Sequence, residues 1–242
     1  MHRLFIFGDS TAAKKDLSTR PETGWGEAFE KYLKGDWILD NRAVNGRSTR
    51  SCLLEGIFSS ALLAAEEGDA AIIQFGHNDS KPDEHRHSDP WTGYRANLIY
   101  MANELKKKGV DVYFATSIAR RRFDGDRLLE THGDYPAAMK AAGHDANVPV
   151  IDMTIDTMLE IQRLGDEGSK KYFMVFGPGI YENFPEGKED NTHLRVEGAD
   201  WIASMVVKKL SELEPVPRFL NLDEKSEKEN LEEMSLQDES AK

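Results

Sequence analysis

The order of its segments predicts an α/β chain, a parallel sheet covered by helices in a three-layer α/β/α sandwich. Two observations lead there. Short apolar runs at residues 4–7, 37–44, 70–75, 110–115 and 148–151 read as buried strands, several of them stopped by glycine. Between them lie stretches with helical spacing, and strands that alternate with helices are the pattern of a parallel sheet. No internal repeat is found.

The first run ends at Gly8 and leads into a polar stretch over 11–23 with Pro21, which is a loop or a loop with a helical turn. Trp25, Ala28, Phe29, Tyr32 and Leu33 then form one buried helical stripe, closed by Gly35. The second strand runs into Asn45-Gly46-Arg47-Ser48, and residues 53–67 read as one or two helices interrupted near Gly56. The third strand ends in Gly76-His77-Asn78-Asp79, followed by a polar loop over 80–91 with Pro82 and Pro90. Tyr94, Leu98, Met101 and Leu105 mark a long helix, with Gly109 as its stop. Residues 119–134 are highly charged and read as a surface excursion; a helix follows around 135–146 and another over 154–164. The stretch 168–192 reads as loop, rich in Gly and Pro, before a last helix over 196–213. The catalytic-size domain is therefore placed at residues 1–214. From Pro215 the composition shifts to Glu, Asp, Lys and Ser, so 215–242 reads as an acidic tail, in which Phe219, Leu220 and Leu222 can dock on the body.

Composition excludes several classes. A net charge of −12 argues against nucleic acid, which demands clustered Lys and Arg. The single cysteine, Cys52, rules out an internal disulfide and a cysteine-based zinc cluster. No apolar run approaches a membrane span, and the few apolar residues after His2 and Arg3 are too short for a signal-peptide core; a cytoplasmic monomer or homodimer is the simplest expectation.

In an open α/β sheet ligands bind at the carboxyl ends of the strands. Three of those ends carry polar turns: Gly8-Asp9-Ser10, Asn45-Gly46-Arg47-Ser48 and Gly76-His77-Asn78-Asp79. Ser10 is a nucleophile if a base takes its proton. The oxyanion left by attack on an ester needs fixed donors, and the Asn78 amide with the backbone N–H groups of Gly46 and Ser10 can supply them. Downstream, Asp190-Asn-Thr-His193 places a carboxylate and an imidazole three residues apart, the orienter and base of a hydrolytic triad. Taken singly, each motif has a plainer reading: Asp9, Ser10 and Thr11 are good helix caps, as are Asn191 and Thr192, with His193 a surface residue.

Taken together and in this order, the blocks at Ser10, Gly46, Asn78 and His193 resemble those of the SGNH (GDSL-type) hydrolases, and they span residues 8–193. More narrowly, Phe7-Gly-Asp-Ser-Thr-Ala12, Ala43-Val-Asn-Gly-Arg-Ser48, Phe75-Gly-His-Asn-Asp79 and Asp190-Asn-Thr-His193 are similar to the rhamnogalacturonan acetylesterases. That family removes acetyl groups from a pectin backbone. The resemblance implies a flavodoxin-like fold with a five-stranded parallel sheet, Ser10 as nucleophile, His193 as base and Asp190 as its partner. It also implies an oxyanion hole of Ser10, Gly46 and Asn78. The substrate implied is an acetylated oligosaccharide, with lysophospholipase, thioesterase or arylesterase chemistry as the alternative and a non-catalytic carbohydrate-binding protein as the outlier.

Serine chemistry needs no cofactor or metal, and the spacing of Asp83, His85, His87 and Asp89 matches no helical zinc motif. Arg47 and Arg50 are placed either to grip a substrate carboxylate or to pair with the acidic surface. Trp91, beside Pro90, is a candidate platform for a sugar ring, whereas Tyr94 is at core spacing. His77 either lines the pocket or hydrogen-bonds a neighbouring loop. Asp9 is expected to brace the nucleophile turn.

Overall fold

The computed structural model describes residues 1–222, so residues 223–242 of the tail expected over 215–242 lie outside the described residues. In chain order the strands are β1 (His2–Phe7), β2 (Trp37–Asn41), β3 (Ala70–Ile73), β4 (Asp111–Ala115), β5 (Phe123–Asp124), β6 (Arg127–Leu128), β7 (Val150–Ile151), β8 (Phe173–Phe176) and β9 (Lys188–Leu194). The helices are α1 (Trp25–Ala28), α2 (Thr49–Leu54), α3 (Ile57–Ala64), α4 (Arg95–Lys107), α5 (Tyr135–Ala146), α6 (Met153–Ser169) and α7 (Val196–Ser211). Five strands pair in parallel in the order β2-β1-β3-β4-β7.

A parallel sheet with helices on both faces needs apolar residues on both faces of its strands. β1 meets that need with its alternating sides. Leu4 and Ile6 point into a core shared with Trp25, Phe29, Ile161, Ile202 and Val206. Phe5 and Phe7 point into the opposite core, with Phe58, Leu98, Met101 and Met139. Helices α1, α6 and α7 thus cover one face, and α2 to α5 the other.

The strand order decides where a ligand can sit. From β1 the sheet grows to β2 on one side and to β3 on the other, and the crevice opens at such a switch point, outside the carboxyl ends of the strands. β1 and β3 are in register from Leu4↔Ala70 to Phe7↔Ile73, so the turns after Phe7 and after Ile73 emerge side by side.

Three segments differ from their sequence reading. The stripe from Trp25 to Tyr32 is a single α-turn followed by a 3₁₀ turn, because it is squeezed beneath the chain at Ala12: a Cβ on Gly26 would lie 2.6 Å from the Ala12 carbonyl oxygen. Residues 168–192 are not a loop. They hold β8 and most of β9, an antiparallel pair whose connecting tip carries Gly177, Pro178, Gly179, Pro185 and Gly187, and Phe173 and Met174 are fully buried. The charged stretch 119–134 carries the small β5–β6 hairpin, yet Arg121 and His132 in it are buried. Beyond α7 the chain returns Phe219 and Leu220 to the core, where the Lys34 amide donates to the Phe219 carbonyl at 3.0 Å.

Candidate active site

The turn after β1 is held from several sides. The Asp9 carbonyl accepts from the amides of Ala12 and Ala13 at 3.1 and 3.0 Å. The Asp9 carboxylate accepts from both the Thr11 amide and its hydroxyl, each at 2.9 Å. The Thr11 carbonyl in turn accepts from the Trp25 amide at 2.9 Å, and the Ala12 carbonyl from the Asn41 side chain at 2.8 Å. Asp9 is wholly buried; burial pushes its carboxyl up, against the hydrogen bonds from Thr11 and the charges of His193 and Arg120. Ser10, at the crest of this turn, is left partly exposed.

Ser10 Oγ lies 2.8 Å from His193 Nε2, although the two residues are 183 apart in the chain. The other ring nitrogen, Nδ1, lies 2.7 Å from Asp190 Oδ2. Asp190 Oδ1 meanwhile accepts from the backbone amides of Thr192 and His193 at 2.9 and 3.1 Å. One carboxylate therefore shapes the local turn with one oxygen and meets the imidazole with the other. Partial burial pulls the Asp190 carboxyl up, but the His193 ring and these two amides hold it well below the usual carboxylate range. The turn arises from an irregularity in the hairpin: Met174 pairs with Asp190 while its neighbour Phe173 pairs with Leu194, so 191–193 bulge without partners on β8.

Two further strand ends close in. Val44-Asn-Gly-Arg47 is a β-turn in which the Arg47 amide donates to the Val44 carbonyl at 3.2 Å. Gly46 has φ +76°, the conformation that the third residue of a type II turn requires and that side chains resist. On the adjoining loop Gly76 has φ +140°, and a Cβ there would meet Ser117 Oγ at 2.5 Å. That loop delivers Asn78, whose Nδ2 donates to the Arg47 carbonyl at 3.0 Å, so one amide hydrogen is committed and the other is free to point elsewhere. Among the described residues, the backbone N–H groups of Ser10 and Gly46 have no hydrogen-bond partner. A hydroxyl, imidazole and carboxylate in series, beside unpaired donors, can pass a proton from Oγ to Nε2 and stabilise a developing oxyanion.

The remaining expected residues have other partners. Arg47 places its guanidinium on Glu55 at 2.7 Å and on the Asn45 carbonyl at 2.9 Å, bracing its own turn. Trp91 is half-exposed, and its indole N–H donates to Asp134 at 2.9 Å. His77 is buried, with Nδ1 3.3 Å from His132 Nε2; burial and the nearby Arg120, His193 and Lys81 charges push its pKa well down. His132 is pushed down to about 2 by burial, with His77 and Arg120 adding to it. Among the described residues, no cluster of His, Cys, Asp and Glu is arranged to hold a metal ion. His85 contacts Glu55 at 2.8 Å, Asp83 pairs with Arg86, and Asp89 caps the amides of Trp91 and Thr92.

Three residues were not singled out by the sequence reading. Gln74, fully buried, accepts from the Trp25 indole at 2.8 Å and donates to the Thr116 carbonyl at 3.3 Å, tying β3 to two neighbours. The available signal was a glutamine inside the apolar run Ile72-Ile-Gln-Phe75. Arg120 donates to the His77 carbonyl at 3.1 Å, and Arg121 meets Asn191 in the bulge. Their signal was three consecutive arginines close behind a buried strand in an acidic chain.

This fold and this geometry define a GDSL-type hydrolase. The GDSL-like lipase/acylhydrolase family model matches residues 6–201, and the chain belongs to that family. It is 37% identical over 212 residues to the rhamnogalacturonan acetylesterase RhgT of Bacillus subtilis (strain 168), covering 87% of this chain and 90% of that protein. It is 30% identical over 213 residues to the probable rhamnogalacturonan acetylesterase YesY of the same organism, covering 88% of this chain and 94% of that one. Among solved structures, protein YxiM of Bacillus subtilis superposes with a TM-score of 0.72 at 22% identity, over 87% of this chain and 56% of that chain.

Proposed function

We propose that this protein is a serine esterase that removes O-acetyl groups from carbohydrate, with acetylated rhamnogalacturonan oligosaccharides as its substrate class. The observation that carries the chemistry is the line from Ser10 Oγ through the His193 ring to Asp190, with contacts of 2.8 and 2.7 Å. The sugar assignment is supported by the two Bacillus relatives, a rhamnogalacturonan acetylesterase and a probable one, which the chain matches along most of their length.

In this reading Ser10 Oγ attacks the acetyl carbonyl carbon while His193 Nε2 takes its proton. Asp190 holds the imidazole with Nδ1–H towards itself and balances the positive charge that forms. The carbonyl oxygen becomes an oxyanion that accepts from the N–H groups of Ser10 and Gly46 and from the free Asn78 amide hydrogen. Collapse breaks the bond to the sugar oxygen, His193 returns the proton to that oxygen, and acetyl-Ser10 remains. Water then attacks the acetyl group, giving its proton to His193, and acetate leaves as Ser10 recovers the proton. The Asn78-to-Arg47 bond matters here because it orients the amide before substrate arrives, so little reorganisation accompanies the charge.

Acetate release by wild type and Ser10→Ala, on acetylated rhamnogalacturonan oligosaccharides, acetylated xylan fragments and a medium-chain thioester, tests the reading. Release from rhamnogalacturonan oligosaccharides that Ser10→Ala abolishes, without loss of fold, is the expected result. Turnover of the thioester alone keeps the triad and overturns the substrate class. A Ser10→Ala protein with full activity overturns the mechanism.

A further inference from the structure

The His193 side chain is supplied by a two-stranded hairpin that is separate from the five-stranded sheet. Its bulge at 191–193 has no partner on β8; the ladder holds its two ends, Asp190 on Met174 and Leu194 on Phe173, and leaves the residues between them to other contacts. Asp190 closes the bulge from within through the amides of Thr192 and His193, which fixes its shape but not its place. Besides the Ser10–His193 contact itself and the Thr23 amide on the flanking Leu194 carbonyl, Arg121 reaches the bulge from the body of the protein. The Arg121 amide donates to the Asn191 carbonyl at 2.8 Å, and its Nη1 donates to the Asn191 side-chain oxygen.

Arg121 is 4% exposed, an unusual degree of burial for a side chain that carries a full charge. All three of its guanidinium nitrogens donate to protein partners. Nε donates to Ser169 Oγ at 3.1 Å, and Nη2 donates to the Asp166 carbonyl at 2.8 Å and to the Asp166 carboxylate. These partners lie on the last turn of α6, beyond the break at Gly165, where φ is +71°. The neighbours of Arg121 are held as well. The Ala119 amide donates to Thr157 Oγ1 at 2.8 Å, and Arg120 donates to the carbonyls of Thr131 and His77, each at 3.1 Å. His77 precedes Asn78, so adjacent arginines grip the loop of the proposed oxyanion donor and the bulge of the proposed base.

We propose that Arg121 is a positioning residue for the reaction: by clamping Asn191 it sets the Asp190–His193 bulge at hydrogen-bond distance from Ser10. The inference rests on the triad assigned above. Its physical basis is that a displacement of about 1 Å in such a relay can cost about 10²-fold in rate without any loss of ground-state binding. Asn191 is the receiving half of the clamp, and neither residue touches the reacting atoms.

The test is steady-state kinetics on p-nitrophenyl acetate for wild type, Arg121→Met, Arg121→Lys, Asn191→Ala and the double variant Arg121→Met/Asn191→Ala, with Ser10→Ala measured alongside. Arg121→Met is expected to lower kcat about 10²-fold with KM little changed, since substrate contacts are untouched. Arg121→Lys, able to make part of the contacts, recovers some of that loss, and the double variant is no slower than the worse single, because both remove one interaction. Losses that multiply in the double variant, or a loss confined to KM, overturn the proposal. If Arg121→Met does not fold, Arg121→Lys and Asn191→Ala carry the test, and full kcat in both overturns it. Dead Ser10→Ala beside fully active Arg121→Met removes the positioning role alone, whereas an active Ser10→Ala removes the triad and the positioning together.

Discussion

Asn78 donates one amide hydrogen to the Arg47 carbonyl 3.0 Å away, which ties the loop after β3 to the turn after β2. The same side chain is thus a strut and, in the proposed mechanism, offers its second hydrogen to the oxyanion. Asn78→Ala removes both. The expected result is a fall in kcat of about 10²- to 10³-fold with a much smaller change in KM, the range found when one oxyanion donor is removed. Kinetics on an activated acetyl ester check it. A loss seen only in KM would assign Asn78 to ground-state binding instead.

Asp190→Asn keeps the size of the side chain and leaves an oxygen for the amides of Thr192 and His193. It turns an N–H towards His193 Nδ1 and so imposes the wrong tautomer. Activity at neutral pH is expected to fall by about 10⁴-fold, by analogy with the same change in a protease triad. Its stability effect has a defined pH range. The Asp190 carboxyl is held well below its unfolded value, so its contribution is present above about pH 4 and is lost only as pH falls further towards the folded value. Denaturant melts of wild type and variant should therefore differ by a constant amount from pH 7 to pH 4 and converge in stronger acid.

Asp79 behaves in the opposite sense. Its Oδ1 accepts from the Thr49 amide and hydroxyl at 3.0 and 2.6 Å, while Oδ2 is buried without a partner. Burial pushes the carboxyl up to about 7, the Thr49 hydrogen bonds oppose it, and the Asp9 charge adds to it. Between about pH 4 and 7 the native state then holds a proton that the unfolded state has lost, so this group lowers stability as pH rises, by at most about 1.4 kcal/mol per pH unit. Asp79→Asn is expected to be more stable than wild type at pH 8 and to converge with it near pH 4. Chemical denaturation at the two pH values measures this, and equal differences at both would refute the assignment.

The rings of His77 and His132 meet edge-on with centroids 4.7 Å apart, and burial favours the neutral form of both. Unfolded histidines take up protons below about pH 6.5, so this pair costs stability progressively as pH drops, with a slope approaching about 1.4 kcal/mol per pH unit for each ring. His132→Phe keeps the ring and removes one proton-binding site. Its stability should fall less steeply than that of wild type between pH 6 and pH 4. Parallel curves for the two proteins would show that His132 is already charged in the fold.

Much of this arrangement was legible in local chemistry. The five parallel strands lie in apolar runs that the sequence marks, and Ser10, Gly46 and Asn78 stand just beyond the carboxyl ends of three of them. Phe173-Met-Val-Phe176 was not legible as a strand, because its pairing partner is the polar segment 188–194, whose composition carries no strand signal. Arg121 was read as surface because charge ordinarily means solvent. It is buried with Asp166, Ser169 and Asn191, up to 70 residues away, each accepting from its guanidinium.

The sequence by itself determined which residues stand at the strand ends, because strand periodicity and glycine-bearing turns are properties of neighbours along the chain. Only the tertiary structure decided that His193 stands on a bulge bordered by Asp190, that this bulge reaches Ser10, and that Arg121 bonds to Asn191 within it. Those relationships depend on hydrogen bonds between segments far apart in the chain, and a spacing of residues does not encode the donors that will meet them.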